Sequence, residues 1–397
     1  MLASAITDKD LKIHVHHVGG IGDCGPTEAI RMLGNDVEWT VYDADESALS
    51  KMKEFKNENI VLVNKCIGAN NSKVNFHITR GQSASSLLKG SPEAKDYTLI
   101  TGPDKAQIWG IHTQITKSIP MELSSIDSLL MEKQISPVDF LSIDAQGAEL
   151  DIINGASRLL TNNIMGVLCE VEFSEIYENQ PLFCDIEGRL RKDNFRFCQI
   201  YNSQYWNTYP FPEGLMGEGF NIVGEALFLK NPDKMIDYGN ISRIPTDALI
   251  KFTAQCLKLA AVAVVFDQLD FGLKIIKALQ NHKLISLDSL AEKCNVRYIK
   301  LLRDLVKAAE AIEKSKTPLE YQSSCSIDYK PYSKNKLSVL YYKLRRLFRI
   351  TVPPLLTYYV KKFTSSAFKE RSVIIKIYRK YGLNALIEYQ SRRLWWK

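Results

Sequence analysis

Asp139-Phe-Leu-Ser-Ile-Asp-Ala-Gln-Gly-Ala-Glu-Leu-Asp-Ile-Ile-Asn-Gly-Ala156 reads in three parts. Phe140 to Ile143 is a short apolar strand that stops on a carboxylate, Asp144. Gln146-Gly147 makes a turn, and from Ala148 onward Leu150, Ile153 and Ala156 share one helical face. An acid at the carboxyl end of a buried strand, just before a glycine turn, is where open α/β sheets place ligands and chemistry.

The segments on either side repeat the alternation. Strands are predicted at His14–Val18, Glu38–Tyr42, Ile60–Val63, Val74–Ile78, Met165–Val171, Phe195–Tyr201 and Ala226–Leu229. Helices are predicted from Pro26 to Leu33, Ser47 to Lys56, Ser124 to Gln134 and Leu182 to Lys192. Such βα alternation predicts an α/β fold, a mostly parallel sheet with helices on both faces. Gly81 to Lys117 reads as a long polar loop, of the kind that serves as a lid or binding loop. Asn231-Pro232-Asp233 marks a change to helical patterning, which adds a C-terminal α-helical region. The expected organisation is therefore 1–235, a helical domain 236–320, and a linker with a basic tail, 321–397. Ser286 to Val306 has the outline of a helix-turn-helix, but structural packing of two short helices is the commoner explanation of such a pattern.

The net charge of +6 over 397 residues hides an asymmetry. Residues 334–397 hold sixteen Lys or Arg and two Glu, a charge of +14, which leaves −8 for the rest. Apolar residues recur beside each basic cluster of this tail, and it ends in Leu394-Trp-Trp-Lys397. This pattern suits an anionic membrane surface better than nucleic acid, with a helical appendage or oligomer contact as the plain alternative. Eight cysteines without a Cys-x-x-Cys pair read as reduced thiols of a cytoplasmic protein. The first ten residues lack a signal-peptide pattern, and the apolar run Leu259–Phe266 is too short to span a bilayer. His14, His16 and His17 lie on a strand without partner ligands and read as structural, so no metal site is assigned.

Gly19-Gly20-Ile21-Gly22-Asp23-Cys24-Gly25 follows the first strand and precedes a helix. Glycines there let a bound nucleotide approach the backbone, and Asp43, ending the next strand, is suited to grip ribose hydroxyls. Nicotinamide dinucleotides and S-adenosylmethionine both fit this arrangement, since Gly20-Ile-Gly22-Asp-Cys-Gly25 also matches a dinucleotide fingerprint.

Phe140 to Ala156 resembles the signature of the FkbM family of S-adenosylmethionine-dependent methyltransferases. Other segments resemble that family in the same order: Tyr42-Asp-Ala-Asp45, Cys66-Ile-Gly68, Ser83-Ala-Ser-Ser-Leu87, Ser125-Ile-Asp-Ser-Leu-Leu130, Leu168-Cys-Glu-Val-Glu-Phe173, Tyr177-Glu-Asn-Gln-Pro-Leu-Phe183 and Gly224-Glu-Ala-Leu-Phe-Leu229. The resemblance covers about residues 10 to 230. It departs from the family at His17, where an acid is usual, and at Gln146, where Glu is common. It implies the class I methyltransferase (Rossmann-like) fold, a seven-stranded sheet with an antiparallel strand near one edge. It also implies S-adenosylmethionine as cofactor, held by Gly19, Gly20, Gly22, Asp43, Cys66 and Ser86, and a hydroxyl of a sugar, glycan or similar polar metabolite as acceptor. Such a hydroxyl needs a base or metal to weaken its O–H bond. Asp144 is the first candidate, Glu170 the second, and His112 a third if the long loop closes. A divalent metal is an option that the sequence does not require. Glu149 reads equally as a helix-start acid. A nicotinamide-dependent oxidoreductase and a non-catalytic binding protein are the rival readings. With the basic tail, the expectation is a cytoplasmic enzyme peripheral to the inner face of the membrane.

Overall fold

The computed structural model describes residues 5–19, 27–44, 59–102, 105–208, 219–231, 233 and 244–314. They belong to the first of two units, Met1–Ala311, except for the end of the last helix. The second unit is Ile312–Lys397, so the basic tail lies outside the described residues, as do Gly20, Gly22 and the helix expected at 47–56.

Twelve strands run in chain order among the described residues: β1 Ile13–Val18, β2 Val37–Asp43, β3 Ile60–Asn64, β4 Cys66–Ile67, β5 Lys73–Thr79, β6 Thr98–Gly102, β7 Lys105–Ile108, β8 Ile115–Ser124, β9 Phe140–Ile143, β10 Gly166–Glu172, β11 Phe195–Trp206 and β12 Phe220–Lys230. The helices are α1 Asp8–Leu11, α2 Thr27–Arg31, α3 Trp109–His112, α4 Ile126–Met131, α5 Glu149–Gly155, α6 Ser157–Asn162, α7 Phe183–Lys192, α8 Thr246–Val265, α9 Leu269–Asn281, α10 Leu287–Lys293 and α11 Arg297–Lys314.

Seven strands form the main sheet in the order β11-β12-β10-β9-β1-β2-β3. The pairs from β10 through β9, β1 and β2 to β3 are parallel, whereas β12 lies antiparallel between β10 and β11. This is the sheet that the class I fold calls for, with one reversed strand next to an edge. The strand order reverses between β1 and β9, so their carboxyl ends open a crevice.

Alternation along the strands divides the core between two faces. Leu141, Ile143, Val167 and Cys169 meet Ile126, Leu129, Ile152, Ile153, Leu160 and Leu190 of α4–α7 on one face. Ile13, Val15, Val37, Phe140, Leu168 and Leu227 meet the helices after residue 244 on the other. The change in composition at 235 is therefore not a break in packing, because one apolar cluster runs across it. α8 is long and apolar enough to cross a membrane by length and composition, more than the short run Leu259–Phe266 suggested. Here its surface is largely buried, with Leu257, Leu259, Ala260 and Ala261 at 0% exposure, and each buried leucine contributes roughly 1.5–3 kcal/mol. α10 and α11 lie in the same core through Leu290, Ile299 and Leu302, which accounts for the helix-turn-helix outline by packing.

Lys258 of α8 reaches the base of the sheet and pairs with Asp139 at 2.9 Å. Asp139 also accepts the His14 N–H at 2.9 Å. Asp36 accepts the N–H groups of Arg297 and Tyr298, satisfying donors at the start of α11.

The segment 81–117 is more ordered than its polarity predicts. β6 and β7 make a hairpin within it, and Trp109 fixes the following turn by donating from Nε1 to the Ile176 carbonyl at 2.8 Å. Trp109, Tyr177, Trp206, Ile222 and Val223 form a third apolar cluster under this hairpin. β11 and β12 also run further than predicted, because Asn202, Ser203 and Gln204 lie in a strand interrupted by register shifts.

Candidate active site

The crevice between β1 and β9 opens into a cleft of about 570 Å³. Val18 and Gly19 line it from β1, Tyr42 and Asp43 from β2, Lys65 and Cys66 from the next crossing, and Asp144, Ala145 and Gln146 from the turn after β9. Glu170 and Glu172 enter from β10, and Trp109, His112, Gln204 and Trp206 form the opposite wall.

Gly19 has φ +83° and lies against the Asp144 backbone, where an added Cβ would sit 1.8 Å from the carbonyl oxygen. Its N–H donates to the Tyr42 carbonyl at 3.1 Å, while the Asp144 N–H donates to the Val18 carbonyl at 2.9 Å. Only glycine fits there.

The turn after β9 is held by two buried groups. Glu149 Oε1 accepts the N–H groups of Ala145 and Gly147 at 2.8 and 3.1 Å, so this acid at the start of α5 has a structural task. Ser86 Oγ donates to the Gln146 carbonyl at 2.6 Å and accepts the Leu88 N–H at 2.9 Å. Ser86 is thus committed to the turn and lies off the cleft wall, where Ser83 and Ser85 stand instead.

The turn leaves Gln146 at φ +53°, and its amide spans the two carboxyls expected to carry chemistry. Gln146 Nε2 donates to Asp144 Oδ1 at 2.8 Å and to Glu170 Oε2 at 2.7 Å. Tyr177 orients that amide by donating to its Oε1 at 2.9 Å.

Burial, then Asp144 and Glu172, pushes Glu170 well above the usual carboxylate range. Burial pushes Glu149 up to about 7, and it raises Glu172 well above its ordinary value. These groups favour holding protons because burial disfavours their ionised forms and neighbouring carboxylates add repulsion. Burial, aided by the Asp43 carboxylate, also lifts the Cys66 thiol to about 11, so Cys66 is a wall and not a nucleophile.

The structure brings Gly19, Asp43, Cys66, Asp144, Glu170 and His112 to one cleft. His112 sits beside Ser83, with 3.2 Å between Nε2 and Oγ, and burial lowers its pKa. Gly81 makes room for this ring, since a Cβ there would meet it at 2.0 Å. His16 is structural: its Nε2–H donates to the Pro137 carbonyl at 3.0 Å and its Nδ1 accepts from the Tyr42 hydroxyl at 2.7 Å. Among the described residues no group of three or more His, Cys, Asp or Glu is arranged to hold a metal ion.

Sequence reading passed over Gln146 as bridge, Glu172, Trp109 and Trp206. For Glu172 the signal was present, because two acids two residues apart on a strand face the same way.

Residues 29–197 match the family described as the methyltransferase FkbM domain. Over these residues the chain is similar to that domain. The match includes Asp43, Asp144, Gln146, Glu170 and Glu172, and so most of the cleft floor lies within the matched segment. No curated protein matches the chain. Among solved structures, the precorrin-6y C5,15-methyltransferase from Geobacter metallireducens GS-15 is similar over 56% of this chain and 84% of its own, at 12% identity and a TM-score of 0.27.

Proposed function

We propose that the protein is an S-adenosylmethionine-dependent O-methyltransferase acting on a hydroxyl of a sugar, glycan or similar polar metabolite. The observation that carries this reading is the Asp144–Gln146–Glu170 bridge at the switch point of the sheet, within an FkbM methyltransferase domain. That domain also favours methyl transfer over nicotinamide chemistry.

The residues present fit the cofactor. Gly19 leaves no side chain between the β1 and β9 strand ends, and Asp43 stands at the end of the neighbouring strand, suited to two ribose hydroxyls. Cys66 and Ile67 supply apolar wall beside it. When bound, the cofactor supplies an electrophilic methyl group on a sulfonium.

The remaining work falls to the chain. Glu170 and Asp144 stand side by side under one amide, and the raised proton affinity of Glu170 makes its ionised form a stronger base than an ordinary glutamate. The pair takes the proton of the attacking hydroxyl, and the Gln146 amide keeps both carboxyls in place. Trp109 and Trp206, with rings 4.9 Å apart, offer apolar surface beside the amides of Gln107 and Gln204. Aromatic wall with a few convergent polar groups suits a ring that alternates C–H faces with hydroxyls.

Transfer of labelled methyl from S-adenosylmethionine into a glycan-enriched cell-extract fraction tests the proposal. Label in that fraction, lost with Asp144→Asn, supports it; label only in protein or nucleic acid contradicts it.

A further inference from the structure

Glu172 is fully buried, and neither carboxylate oxygen forms a full hydrogen bond among the described residues, although the buried Gln180 amide, whose Nε2 equally lacks a partner, faces it. A charged or acidic group left so is costly unless something else meets it. Glu172 lines the cleft, so a bound molecule can reach it.

The register shows where it lies. Glu172 pairs with Val223 of β12, and Val223 pairs with Gln204 of β11. All three line the cleft, as do Trp109 and Trp206. From β10 this row runs through β12 to β11, away from Gly19 and Asp43, which belong to β1 and β2 in the other half of the sheet.

The same lining is rich in carboxyl groups. Among the described residues the cleft lining carries four carboxyls, Asp43, Asp144, Glu170 and Glu172, against one ammonium, the exposed Lys65. Aromatic rings beside the Glu172 carboxyl are a setting that favours an organic cation.

We propose that Glu172, with Gln204 and the Trp109–Trp206 wall, forms an acceptor subsite that binds a protonated amine, making the acceptor an amino sugar or an equally small amine-bearing polyol. This rests on the methyltransferase reading above and narrows its acceptor. The groups facing Glu172 are Glu149 and Asp144, whose charges raise its proton affinity, and the Gln180 amide, which lowers it. An arriving ammonium reverses that balance, so the carboxyl gives up a proton as the amine binds.

The test uses the full chain saturated with S-adenosylhomocysteine, titrated calorimetrically with D-glucosamine and separately with D-glucose, in wild type and Glu172→Gln. The expected result is glucosamine binding about tenfold or more tighter than glucose, with that preference lost in Glu172→Gln. Wild-type titrations in buffers of different ionisation enthalpy should show proton release with glucosamine, a readout that stands even if the variant does not fold. Equal affinity for the two sugars, no binding of glucosamine, or binding without proton release overturns the amine subsite and leaves methyl transfer standing. Failure of S-adenosylhomocysteine to bind overturns both, and is seen before any sugar is added.

Discussion

Gly19 and Asp144 meet backbone to backbone, so closely that a Cβ on Gly19 would lie 1.8 Å from the Asp144 carbonyl oxygen. This contact joins the ends of the two strands between which the sheet changes direction. It fixes how far the crevice opens.

Gly19→Ala should therefore damage both fold and binding. The left-handed backbone alone costs about 1–2 kcal/mol for a non-glycine residue, and the overlap with backbone adds to it. A lower thermal midpoint together with loss of S-adenosylhomocysteine binding is expected. An unchanged midpoint would show that the two strand ends are free to separate.

Gln146→Leu removes the donor that Asp144 and Glu170 share. Hydrogen bonds to charged groups contribute roughly 1.5–3 kcal/mol, so the loss should be clear in urea unfolding. It should be larger at pH 8 than at pH 5, because Glu170, whose proton affinity burial raises, can donate to Asp144 once it is protonated. Equal losses at both pH values would argue against a charged pair.

Two buried groups give stability opposite pH dependences. Burial lowers His16 to about 3, so between about 6.5 and 3 the unfolded chain binds the extra proton and stability falls as pH falls. Burial raises Glu149 to about 7, so between about 4.5 and 7 the folded chain binds the extra proton and stability falls as pH rises. Each amounts to about 1.4 kcal/mol per pH unit. Relative to wild type, His16→Gln should gain stability as pH falls from 6.5 to 5, and Glu149→Gln should gain as pH rises from 5 to 7. Urea midpoints across this range check both signs.

Much of the fold was legible because buried parallel strands are short apolar runs with acids or glycines at their ends. Asp43 and Asp144 could be placed at strand ends from that pattern alone, whereas Glu170, expected at an end, lies inside β10, which runs on to Glu172. Other features depend on chain geometry that local sequence does not carry. Gln146 becomes a bridge only because the turn puts it at positive φ. Trp109 and Trp206 come from distant segments joined by the β6 strand, where Thr98 pairs with Asn207. Ser86 looked like a ligand, but its hydroxyl is taken by the Gln146 carbonyl. The apolar face of α8 was plain in sequence, but nothing local said that it packs on the sheet.

The basic segment 334–397 carries +14, and we propose that it binds an anionic membrane surface. The full chain should float with vesicles containing phosphatidylserine, whereas a chain ending at residue 333 should not. High salt should weaken the effect, since it screens surface charge. Equal flotation of both chains would remove the proposal.

Calorimetric titration of S-adenosylmethionine into wild type and Asp43→Ala tests the central claim most directly. The account predicts saturable one-to-one binding, weakened by roughly 1–3 kcal/mol in the variant with its thermal midpoint retained. No binding to wild type, or the same affinity in both proteins, would contradict it.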